Sequence, residues 1–297
     1  MWQYCKFDLQ YAMGIKMKAY TLGLYEKAMP SELTWEEKLQ AAKSAGFDFL
    51  EISIDETAEK LARLDWSKQE RLELIDTMYA TGIPIRTMCL SGHRRYPLGS
   101  SDPAIARRGM EIMEKAICLA DDLGIRIIQL AGYDVYYEQS TPETAERFEK
   151  NLKKAVMMAA SLGITLGFET METEFMNTVE KAMNYVKNIN STYLAVYPDS
   201  GNIKNASVSY DTDVQKDLRA GAGHIASVHL KETVPGKFRE IPFGTGHVNF
   251  EEMIASAWEM GVRKFVTEFW YTGRENWRDD LKDARTRMGK ILDSMEE

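Results

Sequence analysis

Eight short apolar runs alternate along the chain with longer segments in which apolar residues recur at helical spacing. The short runs have the length and composition of buried strands, whereas the segments between them have the period of amphipathic helices. The eight predicted strands cover residues 19–25, 47–53, 83–90, 125–132, 164–169, 193–199, 225–231 and 264–270.

The segments between the strands carry helix signals. The stretch 103–123 shows apolar residues three or four positions apart, which places them on one helix face. These residues are Met110, Met113, Ile117 and Ala120. In "STPETAERF", Thr141 can cap a helix and Pro142 suits its first turn.

Eight strand–helix units predict an α/β fold of the (β/α)8 TIM-barrel type, with one catalytic domain over residues 18–297. The competing architecture, a doubly wound open sheet, usually carries a GxGxxG fingerprint after its first strand, and "TLGLYEKAMP" has none. Residues 1–17 lack the basic start and apolar core of a signal peptide, so we expect an N-terminal extension outside the fold.

Composition narrows the functional class. The 297 residues could hold one large barrel or two ordinary domains, and the net charge of −8 argues against a nucleic-acid partner. Three scattered cysteines without CxxC spacing suit a reducing, cytoplasmic setting. No apolar run approaches the roughly 18 residues of a membrane span, so no membrane partner is expected.

The chemistry-bearing residues stand at the ends of the last four strands. In a TIM barrel the active site forms at these carboxyl ends. A single carboxylate there is more often a helix cap or ion pair, and a single histidine more often part of the core. Four such groups in otherwise apolar strands instead indicate one site, where a divalent cation would keep crowded carboxylates ionised. The candidates are Glu169, Asp199, His229 and Glu268, an oxygen-rich set that suits one Mn²⁺, Zn²⁺, Co²⁺ or Mg²⁺ ion.

Several segments are similar to one enzyme family. "GFDFLEISIDET", "MCLSGHRRYPLGS", "IQLAGYDVYYE" and "VHLKETVPGKFREIPFG" resemble the L-ribulose-5-phosphate 3-epimerases, also called L-xylulose-5-phosphate 3-epimerases, of the xylose-isomerase-like barrel superfamily. The resemblance covers about residues 18 to 290. It implies a metal-dependent isomerase that inverts C3 of a ketopentose 5-phosphate, L-xylulose 5-phosphate to L-ribulose 5-phosphate, in carbohydrate catabolism including L-ascorbate degradation.

The same resemblance implies roles for individual residues. The metal ligands would be Glu169, Asp199, His229 and Glu268, with Glu169 and Glu268 also the catalytic carboxylates. Inversion through an enediolate needs an acid/base group on each side of the substrate plane, and the fifth and eighth strands stand roughly across the barrel from each other. Glu172 lies near the position where related ketose epimerases hold the substrate.

A phosphorylated substrate needs local cations in an acidic protein. The densest basic cluster is "HRR", and we expect His93 and Arg94 in this loop, together with Lys231 beyond the seventh strand, to bind phosphate. The loop could equally be solvated, with an ion-paired arginine. Trp270 is expected to wall the pocket.

Other functions remain open at this point. An aldose–ketose isomerase of the same superfamily shares the fold and metal, and a metal-free sugar-phosphate-binding protein is a third option. A zinc endonuclease of this superfamily would need several more histidines than the four present. The expected partner is a small sugar phosphate, and we expect a homodimer.

Overall fold

Eight parallel strands form one sheet that curves into a nearly closed barrel. In this computed structural model, which describes residues 18–296, every predicted apolar run contains one strand. The TIM-barrel prediction is therefore confirmed. The strands are β1 (Thr21–Tyr25), β2 (Phe49–Ile54), β3 (Ile85–Leu90), β4 (Ile127–Ala131), β5 (Thr165–Glu169), β6 (Leu194–Tyr197), β7 (Val228–Leu230) and β8 (Lys264–Thr267).

The strand order is that of a barrel. Strands β1 to β6 pair in sequence order, β7 pairs with β8, and β8 pairs with β1. Between β6 and β7 the ladder is reduced to two isolated parallel bridges, Val196 with Ile225 and Asp199 with His229. The second bridge brings two of the predicted site residues side by side.

Helices cover the outside of the barrel. The predicted face of the 103–123 helix packs inward, with Met113, Ile117 and Ala120 almost fully buried. Thr141 caps the next helix by accepting the N–H of Thr144, as predicted. The helices are α1 (Trp35–Ala45), α2 (Ala58–Ala62), α3 (Lys68–Thr81), α4 (Pro103–Leu123), α5 (Pro142–Ser161), α6 (Val179–Ile189), α7 (Ser200–Tyr210), α8 (Val214–Arg219), α9 (Phe250–Glu259) and α10 (Trp277–Ser294).

Strand register sets the height of the candidate site. Ala131, Glu169 and Tyr197 pair across β4, β5 and β6, so Glu169 lies at the carboxyl rim of the barrel. On the other side, Glu268 follows β8 directly and its N–H donates to the carbonyl of Leu230. Parallel strands in register carry their last residues to one end, and this end is where TIM barrels bind their ligands.

The extension predicted for residues 1–17 lies outside the described residues. Within residues 18–296, the longest helices are too short or too polar to span a membrane.

Candidate active site and metal centre

The four predicted ligands come together at the carboxyl end of the barrel. One ligand atom from each of Glu169, Asp199, His229 and Glu268 lies within 4.8 Å of the others, and all four side chains are buried. The site is assembled from β5 to β8, which are consecutive around the barrel apart from the thin β6–β7 seam. Among the residues described, this cluster fits one ion, because it offers four ligand atoms around a single point.

The atoms that face this point have no hydrogen-bond partner within the described protein. They are Asp199 Oδ2, His229 Nδ1 and Glu268 Oε2. His229 Nδ1 stands 3.1 Å from Glu268 Oε2 and 3.6 Å from Glu169 Oε1 without forming a hydrogen bond. Buried polar atoms are costly when unpaired. Three carboxylates and one imidazole, without sulfur, therefore make a set that could hold a divalent ion such as Zn²⁺, Mn²⁺, Co²⁺ or Mg²⁺.

Crowding of the carboxylates perturbs their protonation. Burial raises the pKa of Asp199 well above its usual value, and Glu268 and Glu169 add to the effect while Lys231 opposes it. Burial would also raise the pKa of Glu268, but Lys231 and His229 outweigh it and hold that pKa below its usual range. Crowded carboxylates of this kind repel one another, and a bound cation would relieve the repulsion.

Other atoms of Asp199, Glu169 and His229 are engaged by backbone or side-chain groups of neighbouring residues. Asp199 is the N-cap of α7, where its Oδ1 accepts the N–H of Asn202 at 2.7 Å. The helix-cap and metal-ligand interpretations of Asp199 thus apply to its two different oxygens. Gln129 donates to Glu169 Oε2, and the imidazole Nε2 of His229 lies 2.6 Å from Glu51 Oε1.

Sequence reasoning missed Glu51, Gln129 and Asn202. Glu51 and Gln129 lie within β2 and β4, whereas the predicted metal ligands stand at strand ends. A signal was available for Glu51, because a carboxylate inside the apolar strand "FLEISI" needs a buried partner. Asn202 gave no signal of its own, since an asparagine in the first turn of a helix is ordinary.

Lys231 lies among the four candidate ligands, and it lines the same pocket as Arg94 and Trp270. Its Nζ is 3.0 Å from Asp199 Oδ1, 3.7 Å from Glu268 Oε2 and 2.9 Å from Asn202 Oδ1. The extended backbone after β7 keeps Lys231 on the same inner face as His229, which carries it into the carboxylates. Its ammonium is engaged by these groups, and the phosphate contact expected for Lys231 stays a prediction.

His93 is also placed elsewhere. Its side chain is 5% exposed, and its Nε2 lies 3.0 Å from the carbonyl oxygen of Gly109 in α4. Burial lowers the pKa of His93 to about 4, although the Gly109 contact opposes the shift. The imidazole is therefore neutral near pH 7 and already engaged, so it does not supply a cation to the pocket.

Arg94, Glu172 and Trp270 do line the pocket mouth, together with Arg239, which we did not predict. The Arg94 guanidinium lies 3.9 Å from Glu56 Oε1, and its Nε has no hydrogen-bond partner within the described protein. Glu172 accepts a hydrogen bond from Tyr136 and lies 3.4 Å from Arg239. Trp270 stands beneath the Arg239 guanidinium, 5.8 Å from it. Arg94 and Arg239 thus bring positive charge to a pocket that also holds the buried carboxylates Glu169 and Glu268.

Comparisons with known proteins agree with this architecture. Residues 39–289 match the family model described as the xylose isomerase-like TIM barrel. In fold, the chain is similar to the D-allulose 3-epimerase from Methylomonas sp., with a TM-score of 0.76 and 17% identity over 93% of this chain and 99% of that one. Identity at this level supports the fold alone.

Similarity in sequence is much higher to two curated relatives. The chain is 46% identical to the L-ribulose-5-phosphate 3-epimerase of Escherichia coli O139:H28 and 47% identical to that of Salmonella choleraesuis. Each alignment spans 269 residues, 90% of this chain and 93% of the relative. With its barrel and its buried cluster of acids and histidine, the chain therefore belongs to the L-ribulose-5-phosphate 3-epimerase family of xylose isomerase-like TIM barrels, and it is an enzyme that acts on carbohydrate.

Proposed function

We propose that this enzyme is a metal-dependent epimerase that inverts C3 of a ketopentose 5-phosphate, interconverting L-xylulose 5-phosphate and L-ribulose 5-phosphate. The observation that carries the proposal is the convergence of Glu169, Asp199, His229 and Glu268 in a chain 46% identical to relatives of that name. When bound there, a divalent metal would polarise the substrate's ketone and hydroxyl oxygens and so stabilise negative charge.

The protein's own residues would carry the proton transfers. C3 lies next to the C2 ketone, so its proton can be removed to give an enediolate, and return of a proton on the opposite face inverts the centre. Glu169 on β5 and Glu268 after β8 enter the site from different sides of the barrel. We assign one carboxylate to each face of the substrate.

We assign Lys231 a role at the reacting centre. Its ammonium lies 3.0 Å from Asp199 and 3.7 Å from Glu268, where its charge offsets that of the two carboxylates. Buried charge pairs of this kind are strongly coupled, so removing one partner disturbs the other.

We assign phosphate binding to two arginines at the pocket mouth. Arg94 has a buried donor, Nε, without a partner among the described residues, and Arg239 faces the same pocket. A guanidinium can bind a phosphate through two hydrogen bonds, and such charge-assisted bonds are stronger than neutral ones. Glu172 and Trp270 would contact the sugar between this mouth and the metal.

A coupled assay over the pentulose phosphates, with and without EDTA, tests the function. We expect C3 epimerisation of L-xylulose 5-phosphate that is lost on chelation and recovered on adding back a divalent ion. Undiminished activity after exhaustive chelation would refute the metal-dependent mechanism. Conversion of the ketose to an aldose in place of the C3 epimer would favour the aldose–ketose isomerase instead.

We also propose a location, an oligomeric state and a pathway for the enzyme. We place it in the cytoplasm as a homodimer and in carbohydrate catabolism that includes L-ascorbate degradation, as its family resemblance implies. Light scattering on the purified protein tests the dimer, and loss of growth on L-ascorbate after deletion of the gene tests the pathway.

A further inference from the structure

Glu51 is a fully buried carboxylate in the interior of the barrel that plays no part in the proposed proton transfers. It lies within β2, far along the chain from the metal cluster, and it is 0% exposed. Its Oε1 is 2.6 Å from His229 Nε2, and its Oε2 accepts a hydrogen bond of 2.9 Å from the Tyr197 hydroxyl. A buried charge is tolerated when each oxygen is engaged, and here both are.

The contact decides which nitrogen of His229 is available to a ligand. An ionised carboxylate can only accept hydrogen bonds, so the imidazole Nε2 beside Glu51 must carry the proton. In the neutral imidazole that binds a metal, the electron pair then lies on the other nitrogen, Nδ1. Nδ1 is the atom that faces Glu268 and Glu169, at 3.1 and 3.6 Å, and it has no hydrogen-bond partner within the described residues.

We propose that Glu51 is a positioning residue, which fixes the tautomer and ring orientation of His229 so that Nδ1 binds the metal. Carboxylates hydrogen-bonded to a ligating imidazole orient the ring and increase its basicity, and their loss typically weakens metal affinity by about 10–100-fold. The inference rests on the proposed function, because it requires a metal at the Glu169, Asp199, His229 and Glu268 cluster.

Zn²⁺ affinity measured by competition with a chelator tests the role of Glu51. Glu51→Leu keeps the approximate size of the side chain and removes both acceptor oxygens, and we expect it to weaken Zn²⁺ binding by about 10–100-fold. Tyr197→Phe is the matched control, because it deletes the other hydrogen bond to the same carboxylate and keeps the aromatic ring that packs 4.8 Å from the His229 ring. It should lower the melting temperature but retain wild-type Zn²⁺ affinity.

The tautomer can also be read in the wild-type protein, which does not depend on a variant that folds. In ¹⁵N-histidine-labelled, Zn²⁺-loaded protein, we expect the NMR resonances of His229 to show a proton on Nε2 and metal on Nδ1. The reverse tautomer would overturn the proposal whatever the variants do.

The outcomes separate this inference from the proposed function. If wild-type protein binds Zn²⁺ and Glu51→Leu binds it equally tightly, the role of Glu51 is wrong while the metal site stands. Equal weakening by Glu51→Leu and Tyr197→Phe would reduce Glu51 to general packing and also overturn its role. If wild-type protein binds no divalent metal, the proposed function fails first and the inference fails with it.

Discussion

Replacing Glu26 by Gln should remove the anion that holds together a buried cluster of charges beside the active site. Glu26 follows β1 directly, next to the pocket-lining Tyr25, and is 1% exposed. Its carboxylate contacts Lys38 at 3.0 Å, Lys60 at 2.7 Å and Arg63 at 2.6 Å. In the Gln variant, three cations would remain buried without their partner.

The size of the effect follows from this burial. Breaking a buried ion pair by removing one partner costs about 3–5 kcal/mol, because the remaining charge is left uncompensated. Chains of this kind are stable by only about 5–15 kcal/mol. We therefore expect Glu26→Gln to lower the free energy of unfolding by about 3–5 kcal/mol.

The effect should depend on pH with a definite sign. Burial would raise the pKa of Glu26, but Arg63, Lys60 and Lys38 outweigh it and hold the folded-state pKa well below the usual value of 4.5. A depressed carboxyl pKa contributes stability that is complete above about pH 4.5 and is lost as the pH falls through the folded-state pKa. Between pH 5 and pH 3, wild type should thus lose about 2 kcal/mol more than Glu26→Gln, so the two should converge in acid.

Urea unfolding of both proteins from pH 7 to pH 3 measures this difference. Asp283→Asn is a suitable control, since Asp283 pairs with Arg287 at 2.7 Å but both side chains are about half exposed. Exposed pairs of this kind contribute about 0–1 kcal/mol, so the control should be nearly neutral. The electrostatic reasoning would be refuted if Glu26→Gln lowered the free energy of unfolding by less than about 1 kcal/mol. It would also be refuted if the difference in unfolding free energy between the two proteins stayed constant as the pH fell.

Other predictions concern the site itself. Glu169→Gln and Glu268→Gln should each lower kcat for C3 epimerisation by at least about 10²–10⁴-fold, because inversion needs an acid/base group on each face of the substrate. The circular dichroism spectrum should stay unchanged. Turnover like that of wild type would exclude the substituted residue from the mechanism. His229→Asn should lower the bound metal found by elemental analysis and reduce the melting temperature only modestly, because the apolar core lies elsewhere; full metal content would contradict its ligand role. Arg94→Met should raise KM for the phosphorylated ketose but not for the free sugar. As a control, His93→Gln, a substitution of the buried neighbouring residue, should change neither KM. Equal rises in KM for both sugars would show that the phosphate binds elsewhere.

The hydrophobic pattern alone was enough to predict all eight strands and the barrel. Short apolar runs separated by helical periods leave few arrangements other than parallel strands covered by helices. The sequence also placed Glu169, Asp199, His229 and Glu268 at equivalent ends of successive strands, and a closed parallel barrel brings such ends together. This part of the site depends on the strands, whose direction and register are set by the periodic pattern itself.

The orientation of loop side chains, and contacts between residues distant in sequence, could be seen only in the tertiary structure. His93 and Arg94 are adjacent in a 3-10 turn, Gly92–Arg94, where successive side chains point roughly 120° apart, so one faces α4 and the other the pocket. The amino-acid sequence does not indicate which of the two side chains faces the pocket. The sequence likewise allowed Lys231 to point inward, but only packing shows that its charge meets Asp199 at 3.0 Å.

The contact between Glu51 and His229 joins residues 178 positions apart, and local patterns carry no information on such a pair. Its existence depends on the curvature that closes the sheet and turns β2 toward β7 across the barrel interior. The sequence by itself determined which residues stand at the rim of the barrel. The folded chain decided which atom of Asp199 and of His229 is left without a hydrogen-bond partner among the described residues, because Asn202 engages Oδ1 of the first and Glu51 engages Nε2 of the second.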